Sequence, residues 1–246
     1  MFQYKVGHKS DIGRKRSQNQ DNSGSYPELG LFVVSDGMGG HRGGEIASST
    51  AVEVIHSSVK KGNQNKKWTA DEIITKAIQS ANSAIFNKSK NHSELQGMGT
   101  TTTALLFQDE NLSIGHVGDS RCYLIRPEAL WQLTRDHSLV QEKIRAGLIS
   151  RSEAKTDRMK NVITRSVGFE PVLNVELYHI VPQPKDCFLL CSDGLTGLVE
   201  DGTLLKIVQE YLFEKEDIQS AADHLIEAAN KSGGDDNITA LLVQVI

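Results

Sequence analysis

The chain repeats one design three times: an apolar, strand-like run that ends on an aspartate beside a glycine. Leu31-Phe32-Val33-Val34 runs into Ser35-Asp36-Gly37, Cys187-Phe188-Leu189-Leu190-Cys191 into Ser192-Asp193-Gly194, and Leu112-Ser113-Ile114-Gly115-His116-Val117 into Gly118-Asp119-Ser120. Short apolar runs bounded by turn residues read as strands driven into a core. Such a strand delivers its last residue to the mouth of a sheet, where a carboxylate is positioned to bind something. Asp-Gly by itself is a common turn dipeptide, and Asp201-Gly202 reads as no more than that. One such aspartate is explained equally well by a turn; several converging on one place are not.

The remaining chain supplies the layers around these strands. Residues 2–7 roughly alternate and read as a strand, whereas residues 10–22 lack apolar periodicity and read as a solvated, basic loop. Glycines in Gly37-Met38-Gly39-Gly40-His41-Arg42-Gly43-Gly44 let the backbone approach a ligand closely. Ala47, Ala51, Val54 and Ile55 then recur at helical spacing until about Lys60. Thr69 and Glu72 form a capping-box signature ahead of Ile74, Ala77, Ile78, Ala81 and Ile85. Residues 100–107, 112–117, 121–125 and 129–133 read as short strands with hairpin-like connections, which predicts an antiparallel meander. From Asp136 to about Lys160 the pattern is helical, with capping boxes at Ser138/Gln141 and Ser150/Glu153; this polar, charged stretch reads as a surface flap at about 138–165. Strands at 172–180 and 186–191, two helices around Leu205–Leu212 and Ala222–Ala229, and a final strand from Ile238 complete the pattern. Sheets between helical layers are expected. No linker of disordered composition interrupts residues 1–246, which read as a single domain.

Charge and cysteine usage narrow the function classes. A net charge of -4 and a pI near 6.1, with no basic stripe, leave no electrostatic footprint for nucleic acid. No apolar run approaches the roughly 20 residues that span a bilayer, and the amino-terminal residues lack the pattern of a secretory leader. Cys122, Cys187 and Cys191 have no metal-type spacing and read as buried thiols of a cytoplasmic protein.

Should Asp36, Asp119, Asp193 and Asp236 meet at one end of a sandwich, their repulsion would cost stability unless cations neutralised them. Oxygen ligands without His or Cys select hard ions, so Mg2+ or Mn2+ is expected rather than zinc. A glycine after the aspartate leaves its carbonyl reachable as a further ligand. Two such ions would activate a water and neutralise a phosphoryl group. Arg14-Lys15-Arg16 is the nearest supply of a phosphate-binding fork. Among the histidines, His41 follows the glycine loop and is placed to meet a substrate or act as an acid. His116 and His137, at strand ends, read as structural, and His56, His92 and His224 as solvated positions on helices or their ends. Ser35 and Ser192 lack a nucleophile-elbow pattern.

With those residues assembled, the sequence resembles the metal-dependent protein phosphatases, the type 2C-like (PPM) serine/threonine phosphatases, in their compact bacterial form. The resemblance runs almost end to end through Ser10-Asp11-Ile12-Gly13, Arg16-Ser17-Gln18-Asn19-Gln20-Asp21, Asp36-Gly37-Met38-Gly39-Gly40 and Gly97-Met98-Gly99-Thr100-Thr101. It continues in Gly118-Asp119-Ser120-Arg121, Leu133-Thr134-Arg135-Asp136-His137-Ser138, Ile163-Thr164-Arg165-Ser166-Val167-Gly168, Ser192-Asp193-Gly194-Leu195 and Asp236-Asn237-Ile238-Thr239. It implies an α+β fold: a four-layer αββα sandwich of two mainly antiparallel sheets flanked by helix pairs. It also implies two core Mn2+ or Mg2+ ions with a third, weaker one. By the same resemblance Asp36 would bridge both core ions, Gly37 would offer its carbonyl to the second, and Asp193 and Asp236 would hold the first. Asp119 would bind the third ion, Asp21 would hold waters of the second, and Arg16 would take the substrate phosphate. A metal-activated water would then hydrolyse phosphoserine or phosphothreonine without a phosphoenzyme, opposing cytosolic serine/threonine kinases. A monomer acting on phosphorylated proteins, a kinase among them, is expected.

Three positions depart from the better-known animal enzymes. Gln20 replaces a metal-ligating Glu, Met38 replaces a His proposed as general acid, and Thr156-Asp157-Arg158-Met159-Lys160-Asn161 replaces the usual His-Pro of the flap. His41 or a bound water is the remaining proton source. Two other functions compete: a catalytically weak adaptor that binds phosphoproteins, which should have lost metal aspartates this chain retains, and a phosphatase of small phosphorylated metabolites.

Overall fold

The computed structural model describes residues 2–40 and 43–246. In chain order these form β1 (Tyr4–Asp11), β2 (Asp21–Tyr26), β3 (Leu31–Met38), α1 (Gly43–Gly62), α2 (Ala70–Asn91), β4 (Gly99–Thr100), β5 (Thr102–Gln108) and β6 (Asn111–Val117). They continue as β7 (Arg121–Arg126), β8 (Ala129–Gln132), α3 (Leu139–Arg145), α4 (Arg151–Ala154), β9 (Glu176–Ile180) and β10 (Cys187–Cys191). The last elements are α5 (Asp193–Thr196), α6 (Asp201–Val208), α7 (Ile218–Lys231) and β11 (Ile238–Val245). One sheet has the order β1-β11-β10-β7-β8; the other has β2-β3-β5-β6-β9, with β4 beside β3. Every strand pair is antiparallel.

The continuous apolar run of β3 is explained by burial on both faces. Successive strand side chains point to opposite sides of the sheet. Leu31 and Val33 therefore pack with Ile55 and Ile78 of α1 and α2, whereas Phe32 and Val34 face Phe188 and Leu241 in the layer between the sheets. On the far side, Leu189 and Leu242 pack against Leu204 of α6 and Leu225 of α7. Helix pair, sheet, sheet and helix pair thus form four layers around three apolar cores, the expected sandwich. The capping box at Thr69 and Glu72 is present. Cys122, Cys187 and Cys191 are buried free thiols. Among the described residues, no helix is long and apolar enough to cross a membrane.

Four expectations need correction. The strands from 100 to 133 do not form one meander: β5 and β6 pair in one sheet, while β7 and β8 belong to the other. Hairpin-length connections cannot distinguish a turn within a sheet from a step between sheets. The step falls at Gly118, whose φ of +109° suits glycine and whose added Cβ would sit 2.5 Å from Thr101 Cγ2. The segment read as a solvated loop at 10–22 holds the end of β1 and the start of β2; β2 is polar because it is an outer strand of its sheet, so periodicity does not reveal it. The strand expected over 172–180 begins only at Glu176. In the flap, Ser150 and Glu153 make a full capping box, whereas Ser138 accepts from the Gln141 N–H without the reciprocal bond.

Replacing Gly118 with Ala should strain the step between the sheets. The expected loss is about 1–3 kcal/mol of stability, read as a lower urea midpoint with an unchanged slope.

Candidate active site

The mouth between the two sheets gathers carboxylates from both. Asp36, near the end of β3, is held by its backbone: its N–H donates to Thr101 Oγ1 at 2.8 Å, and its carbonyl accepts from Thr101 N at 2.8 Å and Thr100 Oγ1 at 2.7 Å. Thr101 Oγ1 also lies 2.7 Å from Ser120 Oγ, which links this clamp to the step carrying Asp119. The carboxylate of Asp36 is thereby placed by bonds that leave its own oxygens uncommitted to the clamp.

Asp21 is paired directly opposite Asp36 across β2 and β3, so the two side chains share one face of the sheet. Its Oδ2 accepts from Ser192 Oγ and Thr239 Oγ1, each at 2.7 Å. Ser192 follows β10 and Thr239 lies in β11, both of the opposite sheet, so this one oxygen ties the two sheets together. Asn237 pins the loop before β2: its Oδ1 accepts from Gln20 N at 2.8 Å, and its Nδ2 donates to the carbonyls of Ile12 and Gln18 at 2.9 Å. That loop presents Arg16, whose Nη2 lies 2.6 Å from Asp236 Oδ2 at the rim. Gly194, beside Asp193, packs so tightly on the Asn237 carbonyl that a Cβ would collide with it. Gly37 is similarly wedged between Gln20 and Gly44, and its N–H donates to the Gln20 carbonyl at 3.1 Å.

Burial and mutual repulsion both act on these carboxyls. Burial, followed by the charges of Asp21, Asp193, Asp119 and Asp236, holds the Asp36 carboxyl well above the usual range. Burial raises Asp21 to about 7, against two hydroxyl bonds that lower it and with the charges of Asp193 and Asp236 adding to the rise. Asp119 rises to about 8 through burial and then the charges of Asp193 and Asp136. Asp193 is also raised, by burial and by Asp236.

The oxygens themselves test whether a cation fits. Asp21 Oδ1, Asp119 Oδ1 and Asp193 Oδ1 are buried with no hydrogen-bond partner among the described residues. Leaving a buried acceptor unpaired costs about 1–3 kcal/mol, and more for a charged group. Three such atoms in one place form a hard, anionic, oxygen-only donor set of the kind that suits Mg2+ or Mn2+. Among the described residues, no three carboxylates, histidines or cysteines are already arranged as a ready-made set of metal ligands.

The structure therefore brings together Asp21, Asp36, Asp119, Asp193, Asp236 and Arg16, with Gly37 following Asp36. Met38 ends β3 opposite Gly99 and carries no proton to donate. His41 lies outside the described residues. Sequence reasoning missed the hydroxyls of Thr100, Thr101, Ser192 and Thr239 and the staple of Asn237. Their signal was adjacency, since each stands within a few residues of a site aspartate or its partner motif. His116 is buried and lowered to about 4 by burial and then the neighbouring charge of His137, and it bonds Thr103 Oγ1 and the Arg135 carbonyl. His137 Nδ1 accepts from Gly118 N at 3.1 Å, with its Nε2 2.7 Å from Glu176 Oε2.

Known proteins resemble this chain over almost its whole length. Residues 5–238 match the family described as protein phosphatase 2C. The serine/threonine phosphatase stp of Listeria monocytogenes serotype 4b is 40% identical over 242 residues, covering 96% of this chain and 94% of the relative. The crystal structure of the Mycobacterium tuberculosis serine/threonine phosphatase PstP/Ppp superposes with a TM-score of 0.88 at 32% identity, covering 99% of both chains. The catalytic domain of PstP in complex with two manganese ions gives 0.87 at 32% identity, covering 100% of both. A family match over residues 5–238, together with relatives about as long and as much as 40% identical, places this chain in the protein phosphatase 2C family.

Proposed function

We propose that this serine/threonine phosphatase removes phosphate from phosphoserine and phosphothreonine in proteins, using divalent ions held by Asp36, the Gly37 carbonyl, Asp193 and Asp236, with Asp21 and Asp119 as further ligands. The observation that carries the site is the set of three buried, partnerless carboxylate oxygens at the mouth between the sheets. A manganese pair in the related PstP domain supports the same ion class here. When bound, Mn2+ or Mg2+ supplies a water of lowered pKa and neutralises phosphoryl charge. The chain's own residues do the positioning. The Thr100 and Thr101 clamp holds Asp36, and Ser192 and Thr239 orient Asp21 so that its other oxygen faces the cluster. Arg16 uses Nη2 on Asp236 and keeps the rest of its fork for two phosphate oxygens. His41, outside the described residues, is the proposed substrate-facing group.

An adaptor without catalysis is disfavoured, because all the site aspartates are retained and the relatives are named phosphatases. We read residues 1–246 as one catalytic domain with a flap at about 138–165, acting as a cytoplasmic monomer on phosphoproteins that include a serine/threonine kinase.

Three outcomes test this reading. Release of phosphate from a phosphothreonine peptide should require Mn2+ or Mg2+ and stop with EDTA, and Asp36→Asn or Asp193→Ala should lower kcat by about a thousandfold or more; full activity in either variant would remove the metal assignment. Arg16→Ala should raise KM for the peptide by about tenfold, with a smaller change in kcat, and an unchanged KM would assign the phosphate to another group. In metal-free protein, Asp21 and Asp119 hold protons up to about 7 and 8 when folded but release them near 3.8 when unfolded. Their protonation stabilises the fold fully below the unfolded value, and that stability is lost as pH rises through the folded values. The Tm of EDTA-treated protein should therefore fall between pH about 5 and 8.5, and Mn2+ should abolish the fall by binding the ionised, folded site.

A further inference from the structure

Residues 138–165 carry seven Lys and Arg against three Asp and Glu, a net charge of +4 in a chain of -4, which leaves -8 on everything else. Much of this positive charge is uncommitted. Lys143 pairs with Asp157 at 2.7 Å and Lys155 with Glu200 at 2.7 Å. Glu153 is occupied as a cap, its Oε2 accepting from Ser150 N at 2.7 Å. Among the described residues, Arg145, Arg151, Arg158, Lys160 and Arg165 have no carboxylate partner within ion-pair distance, and all five are exposed.

The flap is anchored beside the carboxylate cluster. Its two ends come together where Ser138 bridges Ile163, with Leu139 N donating to the Val162 carbonyl and Thr164 N to the His137 carbonyl, both at 2.8 Å. His137 N donates in turn to the carbonyl of Gly118 at 2.8 Å, one residue from Asp119. At this junction lies a polar cavity of about 140 Å3 to which Arg135, Arg145 and Arg165 contribute. Two carboxylates of its lining are already engaged. Asp136 forms a forked pair with Arg121 at 2.7 to 3.1 Å, and Glu176 bonds His137 at 2.7 Å. Glu142 is the remaining one, against three arginines.

We infer that the flap and the cavity at its base form a docking surface for carboxylate side chains flanking the phosphorylated residue, so that the enzyme prefers phosphoproteins whose phosphosite lies in an acidic segment. The inference rests on the phosphatase reading and adds the substrate class. The charge map favours a short acidic segment over other polyanions: a duplex or an anionic bilayer is wide enough to meet the -8 remainder, whereas a peptide leaving the carboxylate mouth touches the flap alone. Charges within about 8–10 Å act at physiological salt, so residues adjacent to the phosphosite feel the flap most.

The test uses the Mn2+-loaded enzyme and four phosphothreonine peptides of equal length, flanked by Asp and Glu, by neutral residues, by Lys, or by neutral residues with one additional phosphoserine. Hydrolysis of the neutral peptide reports the phosphatase itself; the ratio of kcat/KM between acidic and neutral peptides reports the docking surface. An acidic preference of about three- to tenfold is expected, the size that a few exposed ion pairs yield, shrinking as NaCl is raised. In Arg145→Gln/Arg158→Gln/Lys160→Gln the ratio should fall toward one. Equal rates for acidic and neutral peptides, or a preference for the Lys peptide, would overturn the inference. So would an acidic preference unchanged in the triple variant, or a gain seen only with the second phosphate. Because the neutral peptide is measured on the same variant sample, a misfolded variant shows as loss on every peptide, and the single substitution Arg158→Gln, on an exposed turn, then decides by the same ratio.

Discussion

Four aspartates, Asp21, Asp36, Asp119 and Asp193, whose carboxyls are all raised by burial and by the charge of neighbouring carboxylates, are the constraint around which the rest of this structure is arranged. Burial raises the cost of each negative charge, and each neighbour raises it further, so Asp36 sits well above the carboxylate range and Asp119 is lifted to about 8. A sandwich closed by hydrophobic burial alone would exclude such a cluster from its core. The cluster persists at the mouth because backbone and hydroxyl donors fix it: Thr100 and Thr101 hold Asp36 by its main chain, and Ser192 and Thr239 reach from the opposite sheet to one oxygen of Asp21. The oxygens left unpaired are the ones a cation would take.

The same bonds make the site a joint between sheets. Asp21 belongs to one sheet and its two hydroxyl donors to the other, while the Gly118 step carries the chain across between them and delivers Asp119 on the way. Asn237 adds a third connection by holding the loop of Arg16 against the start of β11. Geometry at the mouth is thus coupled to the spacing of the sheets. The apolar layer of Phe32, Phe107, Phe188 and Leu241 maintains that spacing, with Phe107 and Phe188 meeting edge to face at 5.8 Å. Arg121 provides a half-buried positive charge nearby, but its fork is spent on Asp136, so it tempers the cluster without neutralising it.

Beside this mouth, the flap of residues 138–165 packs only lightly on the rest of the molecule. Its helices α3 and α4 are short, with Ala154 their only buried residue, and its ends are fixed by few bonds. Such a segment can change its surface charge without disturbing the cores. Under the proposed function, the contrast between an acidic mouth and a basic flap would separate two tasks, holding cations and meeting the remainder of a phosphoprotein.

Much of the architecture was legible from residue order alone. The apolar runs of β3, β6 and β10 end on aspartates, and that pattern identifies strands, their burial and the carboxylates they deliver, because strand periodicity and burial are local properties of composition. Helices α1, α2 and α7 were readable for the same reason, from apolar residues at helical spacing. What the order of residues could not express is which strands become neighbours. Residues 100–133 look like one meander, yet they divide between two sheets; β2 is polar and hides in what reads as a loop, and only its pairing opposite β3 makes Asp21 a partner of Asp36. The roles of Ser192, Thr239 and Asn237 arise from contacts spanning between 171 and 225 positions in sequence. Hydrogen bonds at such separations depend on the closed sandwich. The sequence by itself therefore determined the carboxylates and the strands that carry them, and the tertiary structure alone decided how they are held, which oxygens remain free, and how a basic flap comes to stand beside them.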